Sequence, residues 1–155
     1  MSSKTFINAV TDDVISRLTT NKVALGNWVT LYELDKEPSV IAGSIDGLPV
    51  IVVEPLADRP DSIRMTSGGG GEVYHRFSLN IMGYYGFSAL STDIRTLRGY
   101  AYDCFDLFRG GTNNANQQVG SAHVRSATVN PGYFVIVDHP IYKWSVTLNL
   151  EMIEL

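Results

Sequence analysis

Cysteine is almost absent: Cys104 is the only one in the chain, so no intrachain disulfide can form and no cysteine-based zinc site can be assembled. A reducing compartment fits such a chain. Positive charge is scarce as well. Lys and Arg number 12 against 16 Asp and Glu, a net charge of -4, which disfavours a surface built to neutralise phosphates and, with it, specific nucleic-acid binding. No apolar run approaches the ~20 residues of a membrane-spanning helix. Asp12 and Asp13 stand where a signal peptide needs an apolar stretch, so a soluble chain with no membrane partner is expected.

Catalytic signatures are missing too. G-x-S-x-G does not occur, and the glycine-flanked Ser44 and Ser121 lack its pattern. His75, His123 and His139 show neither H-E-x-x-H spacing nor a carboxylate partner. The run Gly68, Gly69, Gly70, Gly71 leads on without the lysine of a P-loop. These absences support no catalytic residue, no metal site and no cofactor, and leave catalysis unsupported rather than excluded. What remains is globular: at 155 residues, 45% hydrophobic and 18% charged, one domain with one substantial core is expected over residues 1–155.

The strongest pattern lies at the end. In IYKWSVTLNLEMIEL, Tyr142, Trp144, Val146, Leu148, Leu150 and Met152 alternate with Lys143, Ser145, Thr147, Asn149 and Glu151, the period of two of a strand with one buried face. The apolar set should pack on a helix, leaving the polar set toward solvent, a lumen or a neighbour. EVYHRFSLNIMGYYG repeats the pattern, with Val73, His75, Phe77, Leu79 and Ile81 on one face and Tyr74, Arg76, Ser78, Asn80 and Met82 on the other. A lone histidine such as His75 on an apolar face reads as a hydrogen-bonded core or edge residue. Pro49 to Val53 form a continuous apolar run closed by Pro55, which reads as a buried strand whose prolines fall where end donors can be spared.

Helical spacing occurs twice. Phe6 or Ile7, Val10, Val14 and Leu18 form one stripe, capped by Ser2 or Ser3 and stopped at Asn21. Leu90, Ile94, Leu97, Ala101, Cys104 and Phe108 form another, capped by Ser88 or Ser91 and ended by Gly110 and Gly111 after Arg109. Asp12, Asp13 and Arg17, and likewise Asp103 and Asp106 with Arg98 and Arg109, read as solvated charge. Cys104 lies on its stripe, which predicts burial over reactivity.

Between these elements, residues 23–47 predict a short strand or a covering loop. Ala57 to Gly71 predict a flexible loop of the kind that function or a partner orders. SAHVRSATV predicts a strand in which Ala122, Val124, Ser126 and Thr128 oppose His123, Arg125, Ala127 and Val129, broken or bulged at Asn130, Pro131 and Gly132. YFVIV and the terminal strand then form an antiparallel pair about a turn at Asp138 to Pro140. The fold class expected is α+β, a mostly antiparallel sheet with two main helices packed on one face. The aromatic residues Tyr84, Tyr85, Phe87, Tyr100, Tyr102, Phe105, Phe108, Tyr133 and Phe134 fit either a tyrosine-rich core or an assembly surface.

Taken in order, LPVIVVEPL, a variable loop, EVYHRFSLNIMGYYG, STDIRTLRGYAYDCFDLF and GYFVIVDHPIYKWSVTLNLEMIEL resemble the tail terminator (tail completion) family of long-tailed bacteriophages, over nearly the whole chain. The resemblance implies a structural virion protein and not an enzyme: a homo-oligomeric ring, usually of six copies, that caps the tail tube, halts its growth and offers a joining surface to the head connector. The implied partners are further copies of the chain, the tail tube protein, and connector or neck proteins, with DNA passing through the lumen without specific binding. Assembly in the host cytoplasm into the neck of the virion tail follows. Arg59, Arg64, Met65 and the four glycines Gly68 to Gly71 are the implied interface loop, with Lys143 and Glu151 on the last strand. The segment from Asn27 to Gly47 is longer than the family pattern and leaves open a sheath-contacting or neck variant. Two other readings stand beside this one: a different head-tail connector protein, and a small α+β ligand-binding domain using His75 or His123.

Overall fold

The computed structural model describes residues 3–33, 49–55, 64–65, 73–86, 91–108, 118–119, 122–136 and 141–154. In chain order these form α1 (Ser3–Thr20), a 3-10 turn (Val23–Leu25), β1 (Thr30–Glu33), β2 (Val50–Pro55), β3 (Arg64–Met65), β4 (Val73–Gly86), α2 (Ser91–Asp106), β5 (Gln118–Val119), β6 (Ala122–Ile136) and β7 (Ile141–Glu154). The strands make one sheet in the order β1-β2-β4-β7-β6-β5, and β3 lies beyond the end of β2 along the same side of β4. All neighbours are antiparallel except β1 and β2, which run parallel. The chain is therefore α+β with a mostly antiparallel sheet. Among the described residues no helix is long and apolar enough to cross a membrane.

Period-two alternation places β7 at the centre. It pairs along its whole length with β4, from Ile141 opposite Gly86 to Glu154 opposite Val73, and on its other side with β6. Tyr142, Trp144, Val146, Leu148 and Leu150 all point into the main core, together with Phe77, Leu79, Ile81 and Tyr85 of β4. The helices cover that face. Val10, Val14 and Leu18 of α1 and Leu97, Ala101 and Cys104 of α2 are buried in the same cluster, as is Phe108 just past the helix. The two helical stripes are thus the lid of one apolar layer. Burial also pushes the Cys104 thiol far above its ordinary range, with the carboxylate of Asp103 adding to the effect, so Cys104 behaves as a small core hydrophobe.

Local chemistry closes the helices. The backbone N–H and the side-chain amide of Asn21 both donate to the Arg17 carbonyl, at 3.2 and 2.9 Å, which stops α1 at the expected residue. Arg17 ties the helices together. Its Nη1 donates to the Leu107 carbonyl at 3.1 Å, its guanidinium lies 5.2 Å from the Phe108 ring centre, and Asp13 holds it from one turn away at 3.3 Å. Gly110 and Gly111, expected to end α2, lie outside the described residues.

The region after α1 holds a constraint that strand and helix patterns do not reveal. Gly26 has φ 86°, and a Cβ there would come within 2.8 Å of Tyr85 Cε1 and 2.9 Å of Tyr100 Cε2, so both conformation and space demand glycine. The Tyr85 ring stacks on Tyr100 at 5.3 Å and on Trp144 at 6.2 Å. Its hydroxyl donates to the Leu25 carbonyl at 2.9 Å, pinning the 3-10 turn to the sheet. Tyr85→Phe keeps the packing and removes that bond, and is expected to cost about 1–2 kcal/mol of unfolding free energy. Urea denaturation checks this; an unchanged midpoint would show that the bond holds nothing.

Two expectations change against the structure, and a third resolves between its alternatives. Of the break or bulge expected at Asn130, Pro131 and Gly132 the structure has the bulge: β6 runs on through them, and a register shift between Asn130 and Tyr133 lets the pairing with β7 resume. Gly132, with φ 132°, sits under the Tyr142 ring, whose hydroxyl donates to the Pro131 carbonyl at 2.6 Å. The bulge between Val124 and Ser126 reverses the alternation expected for this strand: Ala127 and Val129 pack against the core with Val124, while Ser126 and Thr128 face away. Finally, Arg64 and Met65, expected within a continuous loop, form a two-residue strand on β4; the rest of Ala57 to Gly71 lies outside the described residues.

Candidate functional site

The sheet face opposite the helices is where the polar half of each alternation collects. Its upper end is apolar: Val50 and Val52 of β2, Met82 and Tyr84 of β4 and Ile141 of β7 are buried together, with Tyr32 of β1 against them. β2 thus buries side chains on both faces, Ile51 and Val53 going to the main core, which accounts for its uninterrupted apolar run. Lys143 lies at this end. Its ammonium is 5.3 Å from the Tyr84 ring centre, and the side chain is half-buried, a cation held by an aromatic face.

Below that cluster the three long strands carry matched polar rows. Register sets Asn80 beside Thr147 and Thr128, Ser78 beside Asn149 and Ser126, and Ser145 beside Asn130. Thr147 Oγ1 donates to Asn80 Oδ1 at 3.0 Å, Ser78 Oγ donates to Asn149 Oδ1 at 2.6 Å, and Asn149 Nδ2 donates to Ser126 Oγ at 2.8 Å. These cross-strand bonds are the sheet's equivalent of helix side-chain pairs. They account for Ser78 being one of two buried polar side chains among the described residues. Ser126, Thr128 and Asn130 on β6 are exposed. The lowest row is ionic, Arg125 Nη1 meeting Glu151 Oε2 at 3.2 Å. Arg125 reaches Glu151 from its place in the bulge, and as a surface pair it adds about 0–1 kcal/mol.

The expected interface residues do not form one cluster. Arg59 and Gly68 to Gly71 lie outside the described residues. Arg64 and Met65 pair with Tyr74 and Val73, which in turn face Ile153 and Glu154, so β3 lies at the Glu151 end of β7. Lys143 is at the other end of the strand, eight residues and roughly 26 Å away. Ser78, Asn80, Ser126, Thr128 and Arg125 were not singled out in the sequence. The alternation of β4 places Ser78 and Asn80 on the face away from the core, but the residues of β6 join them only because of the bulge.

Chemically the described side chains of this face offer hydroxyls, amides, the Lys143 ammonium and the Arg125–Glu151 ion pair. The hydroxyls meet amides rather than a general base, and among the described residues no group of three His, Cys, Asp or Glu is placed to hold a metal ion. His75 and His123 fall at register positions opposite Met152 and Glu151, and His139 is outside the described residues. The aromatic residues resolve mostly inward: Tyr84, Tyr85 and Phe108 are buried, and Tyr100 and Phe105 are half-buried against the core. Tyr102 alone among those described is exposed.

Comparison with protein-family models finds none that matches the chain, and comparison with curated proteins finds no match.

Proposed function

We propose that this chain is the subunit of a structural ring in a bacteriophage tail, of the tail-terminator kind, which caps the tail tube and offers a surface to the head connector. The observation that supports the reading most is the sheet face opposite the helices. It is a broad run of hydrogen-bonded Ser, Thr and Asn rows across β4, β7 and β6, ending in Lys143 on one side and the Arg125–Glu151 pair on the other. Such a face presents a broad ordered surface of satisfied polar groups, suited to contact with a neighbour or to lining a channel. A lumen faced with hydroxyls and amides, on a chain of net charge -4, lets DNA slide without holding its phosphates. Arg59, Arg64, Met65 and Gly68 to Gly71 are proposed to join the contact with the tube or the next copy.

Removal of the gene from its phage supplies the test. Overlong tail tubes under negative stain, with purified protein that joins tubes as a closed ring, are expected of a terminator. Tails of normal length beside unattached heads would instead assign the chain to the connector. A protein that stays monomeric at high concentration and never joins tubes sinks both structural readings.

A further inference from the structure

The outward face of α2 carries a charge order that reads the same from either end once signs are exchanged. Leu97, Ala101 and Cys104, with Phe108 just past the helix, are buried. Opposite them Arg95, Arg98, Gly99, Tyr102, Asp103 and Asp106 form one stripe at spacings of three and one, all exposed except the half-buried Gly99. Both arginines lie in the first half of the stripe and both aspartates in the second. Arg95 and Asp106, Arg98 and Asp103, and Gly99 and Tyr102 are three pairs that share one midpoint, between Tyr100 and Ala101. We propose that this stripe is a self-complementary docking face through which two copies of the chain associate, their α2 helices antiparallel about a two-fold axis at that midpoint.

In that arrangement each copy sets Arg95 against Asp106 of the other, brings Arg98 level with Asp103, and lays Tyr102 over Gly99. The glycine leaves room for the ring: a Cβ built at Gly99 meets nothing within 4 Å. Tyr102, 48% exposed, is one of three exposed large hydrophobics among the described residues, and tyrosine is among the side chains that anchor interfaces. A parallel pairing would set arginine on arginine and aspartate on aspartate, so charge alone selects the antiparallel one. Each helix taken singly is also poorly arranged. Asp103 and Asp106 crowd the C-terminal turn, where the helix dipole disfavours anions, and the Asp103 carboxyl is raised above its ordinary range by partial burial and by the charge of Asp106. Arginines from a second copy relieve both effects. The contact is isologous and closes at two copies, unlike the head-to-tail contact of a ring, so it stands or falls apart from the ring reading.

Two charge-reversed chains test it by sedimentation in the absence of tail tubes: Arg95→Asp with Arg98→Asp, and Asp103→Arg with Asp106→Arg. All four positions are exposed, and circular dichroism confirms that each variant folds. The wild-type mass should rise with concentration to that of two copies and stop there. Either variant alone faces like charge with like charge and should associate on the order of a hundredfold more weakly, while an equal mixture restores the pair. Added salt should weaken the wild-type pair. The proposal is overturned by a wild type that stays monomeric, by association that neither variant weakens, or by a restored mixture whose mass continues past two copies.

Discussion

Gly83→Ala is expected to lower the unfolding free energy by about 3 kcal/mol or more, at or beyond the upper end of the usual cost of overpacking, with a fall in thermal midpoint on the order of 10 °C. Gly83 sits opposite Trp144 in the β4–β7 ladder. A Cβ there would fall on the indole itself, at Cε2, and within 2.7 Å of Nε1. Neither side can yield cheaply. The backbone of β4 is held between β2 and β7, and the fully buried Trp144 ring is stacked against Tyr85. The ring's volume fills the space that the glycine leaves. The double substitution isolates this cause. Trp144→Leu alone should be costly through its cavity, but in that background Gly83→Ala should be neutral or stabilising, since alanine fills part of the void and glycine is unfavourable within a strand. A sign change between the two backgrounds, read by chemical denaturation as a double-mutant cycle, is the expected signature. Gly83→Ala as stable as the parent would show that the indole does not rest on that glycine.

Those two residues also mark how far sequence reaches. The alternation of Tyr142 to Leu150 and of Phe77 to Ile81 was legible, because a strand with one buried face must repeat every second residue; the structure buries all of these side chains in the main core. The helical stripes were legible for the same reason at period 3.6, down to the stop at Asn21. The fit of Gly83 to Trp144 was not, since it depends on which residues of two strands stand opposite one another, and register is a property of the pair. The parallel partnership of β1 with β2 was hidden likewise, as β1 is short and irregular in pattern and the direction of pairing is not written in either strand alone. In β6 a single extra residue at Arg125 moves Ser126 to Asn130 to the other face, and a second register shift follows before Tyr133, so period-two reasoning fails beyond the bulge. The polar face depends on that shift: without it Ser126 and Thr128 would not join Asn149 and Thr147. The interface loop implied by the resemblance was legible only as composition, and β3 is the portion of it that the structure places, at the Glu151 end of β7.

Truncation before Trp144 is expected to abolish folding altogether. The deletion removes Trp144, Val146, Leu148 and Leu150, each at most 1% exposed, and burying such side chains is worth about 1.5–3 kcal/mol apiece. Against a typical total of about 5–15 kcal/mol, that loss alone consumes most of the stability. The hydrogen bonds are the larger matter. β7 separates β4 from β6 and pairs with both, so its removal splits the sheet and exposes two strand edges where there were none. β4 keeps β2 and β3, β6 keeps the two-residue β5, and each presents unpaired N–H and C=O groups beside newly exposed apolar side chains. An edge of that kind pairs with whatever strand it meets. The truncated chain should therefore collect in the insoluble fraction, and after refolding should show no cooperative thermal transition. A control shortened only by Leu155, which leaves every described pair of β7 in place, should remain soluble with the parent's transition. Soluble, cooperatively melting protein from the truncation before Trp144 would mean that the core is organised around some other element than the final strand.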